Sequence, residues 1–231
     1  MDGISDNLRR VLTGVRAAAE KSGRDPSSVR LVVVTKTVPA IMIAEAVRAG
    51  AEILGENRVQ EALHKMQEPV LRAVRPAPEW HLIGTLQKNK ARYAVGSFSL
   101  IHSVDGIELA REIDRQAGRR GIVQDGLLEV NVAGEGTKHG VRPEDVLAVL
   151  KESAFLKNIW ITGLMCVPPI TEDPETSRPY FKTMREILSE VGKAGLMMTE
   201  LSMGMSQDYE VATEEGATLV RVGTAIFGSR V

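Results

Sequence analysis

The chain has 231 residues, of which 43% are hydrophobic and 26% are charged, and its formal net charge is -1. This length and composition fit one soluble globular domain with a full core. The near-zero net charge gives no electrostatic reason to expect a nucleic-acid or anionic-membrane partner, and we expect neither. No apolar run approaches the roughly 20 residues that a membrane helix needs.

Cys166 is the single cysteine of the chain, so an intrachain disulfide and a cysteine-based metal cluster are both excluded. The N-terminal segment MDGISDNLRRVL lacks the charged-then-apolar pattern of a secretory signal. These features predict a reducing, cytoplasmic location. His64, His102 and His139 show no mutual spacing typical of a metal site, so none is predicted.

The chain repeats one pattern, in which a short β-branched run is followed by a loop and a stretch with helical periodicity. An amphipathic helix over 7–23 comes first, before any strand. The predicted strands are 30–36, 51–57, 79–84, 100–105, 126–133, 159–167, 197–206 and 218–222. The helices predicted after the first one are 40–50, 58–66, 86–95, 106–118, 142–153, 177–195 and 208–217.

Eight strands that alternate with helices predict parallel pairing through crossover connections. The strands are mostly apolar on both faces, as expected where helices cover a parallel sheet. We therefore predict a (β/α)8 TIM barrel, an α/β fold, formed by a single domain over 1–231 and preceded by the N-terminal helix. An open doubly wound sheet is the alternative, but no strand is followed by a G-x-G-x-x-G or Walker glycine loop.

In a barrel, the C-terminal ends of all strands face the same rim, where barrel enzymes have their active sites. Lys36 ends the first predicted strand, which pairs with the eighth, and the eighth is followed by a loop that begins with Gly223 and Thr224. Ser206 lies in the loop after the seventh strand. Glycine and hydroxyl residues in these two loops are typical of a phosphate site.

The side chain of Lys36 allows two interpretations. A lysine at the end of an apolar strand either is solvated at the surface or lies in a pocket, where partial desolvation lowers its pKa and favours the neutral nucleophile. Lysine forms Schiff bases with carbonyl compounds, and a phosphorylated aldehyde that persists on a lysine indicates pyridoxal 5'-phosphate (PLP).

Arg221 shares a strand face with Leu219 and Gly223, so it points inward if Gly223 lines the phosphate loop. The alternative is an outward arginine paired with a helix. An inward arginine stays protonated and would face an unprotonated pyridine nitrogen, which weakens the ring as an electron sink.

Several segments resemble the pyridoxal phosphate homeostasis family: VVVTKTVP, GENRVQE, WHLIGTLQKNK, IHSVD, SMGMSQD and RVGTAIFG, in the right order over nearly the whole chain. The resemblance implies a single-domain relative of the alanine racemase N-terminal barrel, with PLP as its cofactor. It implies that Lys36 carries PLP as a Schiff base and that Arg221 faces the pyridine nitrogen. It also implies that Ser206, Gly223 and Thr224 hold the phosphate and that Asn57 and His81 lie near the ring. Apart from the resemblance, the backbone N–H near Met205 is a further candidate to bind the phosphate.

Three residues need separate mention. Many family members carry a second lysine two positions after the cofactor lysine, but this chain has Val38 there, which leaves any role of that amine in cofactor exchange in doubt. Lys138 is another lysine expected at the rim, and a mobile loop lysine is its simpler interpretation. His81 lies in a strand and is also interpretable as a hydrogen-bonded core histidine.

Three functions are compatible with these residues. The first is a monomeric protein of PLP homeostasis that holds the cofactor without robust turnover and delivers it to PLP-requiring apoenzymes. The second is a racemase, which needs an acid and a base on opposite faces of the substrate. In the two-domain racemases that the chain resembles, a tyrosine of a further β-domain is the second group; Tyr93, Tyr180 and Tyr209 offer no evident equivalent, and the chain stops after the eighth strand. The third is a Schiff-base aldolase acting on a phosphorylated substrate.

Overall fold

The computed structural model describes residues 3–135 and 139–228 and forms a closed barrel of eight parallel strands. The strands follow one another in chain order, and β8 closes the ring by pairing in parallel with β1. The predicted TIM barrel is thereby confirmed, and the open sheet is wrong. The strands are β1 (Arg30–Val34), β2 (Ile53–Glu56), β3 (Glu79–Leu82), β4 (Leu100–Val104), β5 (Gln124–Glu129), β6 (Ile159–Met165), β7 (Glu200–Ser202) and β8 (Leu219–Val222).

Helices lie between successive strands, and the predicted N-terminal helix precedes β1. Within the described ranges they are α1 (Ile4–Lys21), α2 (Ala40–Arg48), α3 (Val59–Gln67), α4 (Pro69–Arg72), α5 (Ala91–Ala94), α6 (Ile107–Arg120), α7 (Val146–Ser153), α8 (Arg178–Lys193), α9 (Tyr209–Glu214) and α10 (Thr224–Phe227). None of these helices is long and apolar enough to cross a membrane.

The hydrophobic core has two parts that the barrel wall separates. The larger part fills the space between the strands and the helices, where α1 buries Leu8, Val11 and Val15. The smaller part fills the middle of the barrel with the buried side chains Val32, Ile53, Leu100, Leu127, Met165 and Leu219. Each fully buried aliphatic side chain contributes about 1.5–3 kcal/mol. This inner layer closes the barrel below the strand ends, so a ligand site is confined to the rim.

Element boundaries differ from the predicted ones near the rim. The first strand ends at Val34, because Thr37 takes a left-handed backbone φ of 61° that no strand can continue through, and Lys36 therefore lies in the loop. The seventh strand is only Glu200–Ser202, and the helix predicted over 86–95 is a 3-10 turn, Lys88–Lys90, followed by α5. Both shifts lengthen the loops that form the rim.

Candidate functional site

A cavity of about 280 Å³ opens at the C-terminal ends of the strands, close to the size range of small-molecule sites. Seven of the eight predicted site residues line it: Lys36, Asn57, Met205, Ser206, Arg221, Gly223 and Thr224. The other wall residues are the apolar Val34, Ile83 and Val167. Loops from distant parts of the chain therefore meet around one concave site, and Lys36 is not a solvated strand end.

Lys36 is placed in the cavity by a tightly held loop between β1 and α2. The preceding residue, Thr35, is fully buried, and its N–H donates to the carbonyl of Gly55 at 2.9 Å, which extends the β1–β2 pairing beyond the strand. The carbonyl of Thr35 accepts from Val38 at 3.0 Å, so the chain turns directly after Lys36. The side chain of Lys36 is thus presented at the rim by a short turn.

Asn57 lies next to this loop, immediately after β2. Its position depends on Gly84, which follows β3 and contacts the Asn57 backbone so closely that a Cβ at residue 84 would overlap three of its atoms. The glycine of the WHLIG segment therefore lets two rim loops approach each other. This close approach brings Asn57 to the cavity wall.

The predicted phosphate loops also meet. The hydroxyl oxygen of Ser206 accepts from the N–H of Gly223 at 3.2 Å and from the N–H of Ala225 at 3.4 Å, and Thr224 lies between them on the cavity wall. Hydroxyl groups and backbone N–H groups of this kind bind phosphate oxygens. The loops after β7 and β8 are the usual phosphate site of TIM barrels.

Met205 corrects one detail of the prediction. Met205 lines the cavity, but its backbone N–H donates to Oδ1 of Asp208 at 2.7 Å. This N–H is therefore already used inside its own loop, since Asp208 caps the turn, and it does not have the expected orientation toward a phosphate.

Arg221 points into the barrel, as the strand periodicity predicts, and the outward alternative is wrong. It is 4% exposed, and Nη1 donates to Oγ of Ser202 at 2.5 Å while Nη2 donates to the carbonyl of Cys166 at 2.8 Å. Burial lowers the pKa of Arg221 from its ordinary value, but an arginine remains protonated in proteins. A fixed cation therefore lies in the floor of the cavity.

His81 does not line the cavity but lies deeper in the barrel. Ile83, two residues later on the same inward face, lines the wall, which places His81 one step toward the opposite mouth. Nδ1 of His81 lies 3.0 Å from Nε2 of His102, whose Nδ1 is 2.8 Å from Oγ of Ser202. The interpretation as a buried, hydrogen-bonded histidine therefore describes its surroundings.

Arginine can only donate, and one hydrogen-bond direction starting at Arg221 gives every proton of this path an acceptor. Ser202 accepts from Arg221 and donates to Nδ1 of His102, which leaves Nε2 of His102 to donate to Nδ1 of His81. Nε2 of His81 then carries its proton toward the carboxylate of Glu79, 3.6 Å away at the far mouth. A continuous polar path thus joins the cavity floor to the solvent on the other side of the barrel.

Both histidines of this path are neutral. Burial lowers the pKa of His81 from 6.5 to about 3. Burial also lowers the pKa of His102 well below 6.5, and the nearby His81 and Arg221 lower it further. Neutral rings suit the hydrogen-bond direction given above, since each ring donates once and accepts once.

Ser202 and His102 were not identified from the sequence, although the signal was available. Ser202 lies four residues before Ser206, and His102 belongs to the IHSVD segment on an inward-facing position of β4. Lys138, the other predicted rim lysine, lies outside the described residues. Within 3–135 and 139–228, no group of three or more His, Cys, Asp or Glu side chains is placed to hold a metal ion.

Comparisons with known proteins identify the family of the chain. The model of the alanine racemase N-terminal domain family matches residues 6–231. The pyridoxal phosphate homeostasis protein of Aquifex aeolicus (strain VF5) is 45% identical over 227 residues, which cover 97% of each chain. The chain belongs to the pyridoxal phosphate homeostasis family. This family membership is the one that the quoted segments indicate.

Solved structures agree with this assignment. A crystal structure of an unknown protein from Bifidobacterium adolescentis has a TM-score of 0.89 and 38% identity, and the match covers 97% of this chain and 94% of that one. PipY of Synechococcus elongatus PCC7942, solved with PLP bound, has a TM-score of 0.80 and 41% identity, with 93% of this chain and 99% of PipY covered. The barrel is thus the shared fold of this pyridoxal phosphate homeostasis family.

Proposed function

We propose that this chain binds PLP in the rim cavity, holds it as a Schiff base on Lys36 and serves in PLP homeostasis without robust catalytic turnover. The observation that carries the proposal is the placement of Lys36, Arg221, Ser206 and Thr224 around a single cavity. The relatives named above, and PipY with PLP bound, support the same cofactor.

The residues present fit the chemical groups of PLP. An amine (Lys36) suits the aldehyde, and the hydroxyls of Ser206 and Thr224 with the adjoining backbone suit the phosphate. The buried guanidinium of Arg221 suits an unprotonated ring nitrogen, because it donates and never accepts. The apolar side chains Val34, Ile83 and Val167 suit the faces of the ring.

When bound, PLP supplies an aldehyde for reversible imine formation and a ring that can withdraw electrons. In this site Nζ of Lys36 would form a bond to the aldehyde carbon, and the aldehyde oxygen would leave as one water molecule. Ser206 and Thr224 would hold the phosphate. Arg221 would keep the ring nitrogen unprotonated, which lowers the capacity of the ring to stabilise negative charge.

The surroundings of the cavity support binding rather than turnover. A racemase needs a second acid–base group opposite the lysine, and among the described residues that line the cavity there is no tyrosine. The hydroxyl of Tyr209 donates to Glu210, and burial raises the pKa of Tyr209 to about 12, which makes this phenol a poor acid. No observation favours the racemase or the aldolase.

Delivery to PLP-requiring apoenzymes is part of the proposal. An imine is hydrolysed by water, so a cofactor that is held at an open rim by Lys36 is exchangeable in a way that a cofactor enclosed between domains is not. Transfer is measured by mixing the loaded protein with an apoenzyme and following the return of that enzyme's activity. Transfer no faster than from an equal concentration of dissolved PLP would contradict the delivery role.

The binding proposal is tested by absorbance. We expect the purified chain mixed with PLP to develop a near-visible absorption band that shifts on borohydride reduction, with the label found at Lys36 by mass spectrometry. Lys36→Ala should form no such adduct, while Lys151→Ala, at an exposed position of α7, should behave as the native chain. Uptake of PLP with the label on another lysine, or no uptake, would overturn the proposal. Inversion of alanine at the rate of a dedicated racemase would overturn the absence of turnover.

A further inference from the structure

A buried charged cluster lies directly behind the loop that carries Lys36. Lys65 of α3 is 7% exposed, and its Nζ donates three hydrogen bonds of 2.7 Å each: to the carbonyl of Thr35, to Oε1 of Glu56 and to Oε1 of Glu61. We refer to Lys65, Glu56 and Glu61 as the Lys65 cluster. All three donor positions of the ammonium are thus used, and one of them fixes the backbone of the Lys36 loop.

The Lys65 cluster holds the residues on both sides of Lys36. On one side, the hydroxyl of Thr35 donates to Oε1 of Glu56 at 2.7 Å. On the other side, the N–H of Thr37 donates to Oε1 of Glu61 at 2.6 Å. Lys36 is therefore the middle residue of a tripeptide whose first residue is bonded to Lys65 and Glu56 and whose last residue is bonded to Glu61.

The hydrogen bond between the Thr37 N–H and Glu61 helps to hold Thr37 in an unfavourable backbone conformation. Thr37 is a β-branched residue with a φ of 61°, and it is the only residue other than glycine with a positive φ among the described residues. β-Branched residues rarely adopt this conformation, and such strain persists where the surroundings impose it. The hydrogen bond from the Thr37 N–H to Glu61 holds this conformation together with the turn bond from the Val38 N–H to the Thr35 carbonyl.

Stability alone is a weak reason for this arrangement. A buried ion pair seldom stabilises a fold more than well-packed apolar residues do, because both charges lose their hydration. Burial raises the pKa of Glu56, and the bonds from Lys65 and Thr35 oppose that shift. Burial acts in the same direction on Glu61, but the bonds from Lys65 and the Thr37 N–H outweigh it and lower its pKa.

We propose that Lys65, Glu56 and Glu61 are positioning residues that fix the direction in which Lys36 enters the cavity, and so set the rate and stability of imine formation. This inference rests on the proposed function, because Lys36 is assigned there as the residue that bonds to PLP. It also explains the second and seventh residues of the GENRVQE segment, Glu56 and Glu61, which do not themselves line the cavity.

The first experiment measures the loop itself and needs no cofactor. Glu61→Ala removes the acceptor of the Thr37 N–H at a partly exposed position, whereas Glu61→Gln keeps an acceptor oxygen. Loss of a charge-assisted hydrogen bond should accelerate hydrogen exchange of the Thr37 amide by about tenfold or more in Glu61→Ala. Glu61→Gln should stay near the native rate, and unchanged exchange in Glu61→Ala would overturn the proposal.

The second experiment separates positioning of the amine from binding of the cofactor. Pyridoxine 5'-phosphate has the ring and phosphate of PLP but no aldehyde, so its affinity reports the cavity without Lys36 chemistry. In Glu61→Ala and Lys65→Met we expect imine formation with PLP to slow by about tenfold or more, since small misplacements of a reacting group have effects of that size. Affinity for pyridoxine 5'-phosphate should remain within about twofold of the native value, because the cavity wall is intact.

The outcomes are distinguishable. Equal losses for PLP and pyridoxine 5'-phosphate would mean that the Lys65 cluster only maintains the fold, and no loss for either would mean that it has no role; both overturn the inference. If Lys65→Met does not fold, the same test is made with the Glu61 variants and with the double variant Lys65→Met/Glu56→Gln. The double variant removes the buried charge of Glu56 that Lys65→Met alone would leave unpaired. A native chain that binds pyridoxine 5'-phosphate but forms no adduct with PLP would instead overturn the proposed function, while the exchange of the Thr37 amide would still decide the positioning role.

Discussion

Nη1 of Arg221 donates to Oγ of Ser202 at 2.5 Å, and this contact joins the cavity floor to the polar path inside the barrel. Ser202 of β7 pairs with Leu219 of β8. Leu219 lies two residues before Arg221 on the same strand. In the direction that gives every proton of the path an acceptor, Ser202 accepts from Arg221 and donates to Nδ1 of His102. One hydroxyl therefore contacts the guanidinium on one side and the imidazole on the other.

Ser202→Ala should remove this link. The buried Nη1 of Arg221 and Nδ1 of His102 would each lose a partner, so we expect the free energy of unfolding to fall by about 1–3 kcal/mol. Urea denaturation measures the change. Ser189→Ala, at an exposed position of α8, is the matched control and should change the value by less than about 0.5 kcal/mol. A Ser202→Ala variant as stable as the control would mean that the hydroxyl is not part of a tight buried network.

The neutral histidines predict acid sensitivity. The lowered pKa values of His81, about 3, and of His102 mean that the folded chain binds fewer protons than the unfolded chain below pH 6.5. Unfolding then takes up protons, so the stability that is present above pH 6.5 is lost as the pH falls toward 3. Each histidine that gains a proton on unfolding contributes about 1.4 kcal/mol per pH unit.

Denaturation at pH 7.5, 6.0 and 5.0 measures this slope. His81→Asn should lower the dependence of the unfolding free energy on pH by the contribution of one histidine. This holds whatever the substitution does to stability at pH 7.5. Ser189→Ala, which removes no titratable group from an exposed position, serves as the control and should leave the slope unchanged. An identical slope for His81→Asn and the native chain would contradict the buried neutral state of His81.

The fold was predictable because its signal is local. Eight β-branched runs that alternate with helical stretches imply a parallel barrel, and the period of two along β8 was enough to turn Arg221 inward. The phosphate loops followed from strand order alone, since the ends of β7 and β8 are neighbours in any eight-stranded barrel. The position of Lys36 after the first strand left a pocket and a solvated surface both open, and the structure places it at the cavity.

Depth and burial were not predictable in the same way. His81 and Ile83 share a face of β3, and only the stagger of the strands decides that Ile83 reaches the cavity while His81 lies below it. Glu61 and Lys65 are four residues apart on α3, a spacing that is typical of a solvated helix pair. Their burial depends on where α3 packs against the Lys36 loop, which no single segment specifies.

The phosphate loops predict a selective loss of affinity. In the double variant Ser206→Ala/Thr224→Ala two hydroxyl groups at the cavity wall are removed, so we expect the retention of PLP to weaken more than the stability of the fold. Pyridoxal lacks the phosphate and is the control ligand. We expect the ratio of PLP affinity to pyridoxal affinity to fall by about tenfold or more, the value of one to two charge-assisted hydrogen bonds. Equal losses for both ligands would place the phosphate elsewhere.

Gly84 predicts a backbone effect on the cavity. A Cβ at this position would overlap the carbonyl, carbonyl carbon and Cα of Asn57, and backbone atoms cannot rotate away as a side-chain end can. Gly84→Ala should therefore separate the two rim loops, lower the free energy of unfolding by about 1–3 kcal/mol and weaken the PLP adduct by displacing Asn57.

The matched control is Gly192→Ala in α8, where an added Cβ meets no atom within 4 Å and the helix gains a better former. This variant should be as stable as the native chain or more stable, by up to about 1 kcal/mol. Urea denaturation and PLP absorbance on both variants give the comparison. If Gly84→Ala matches Gly192→Ala in both measurements, the close contact between residue 84 and Asn57 does not determine the shape of the cavity.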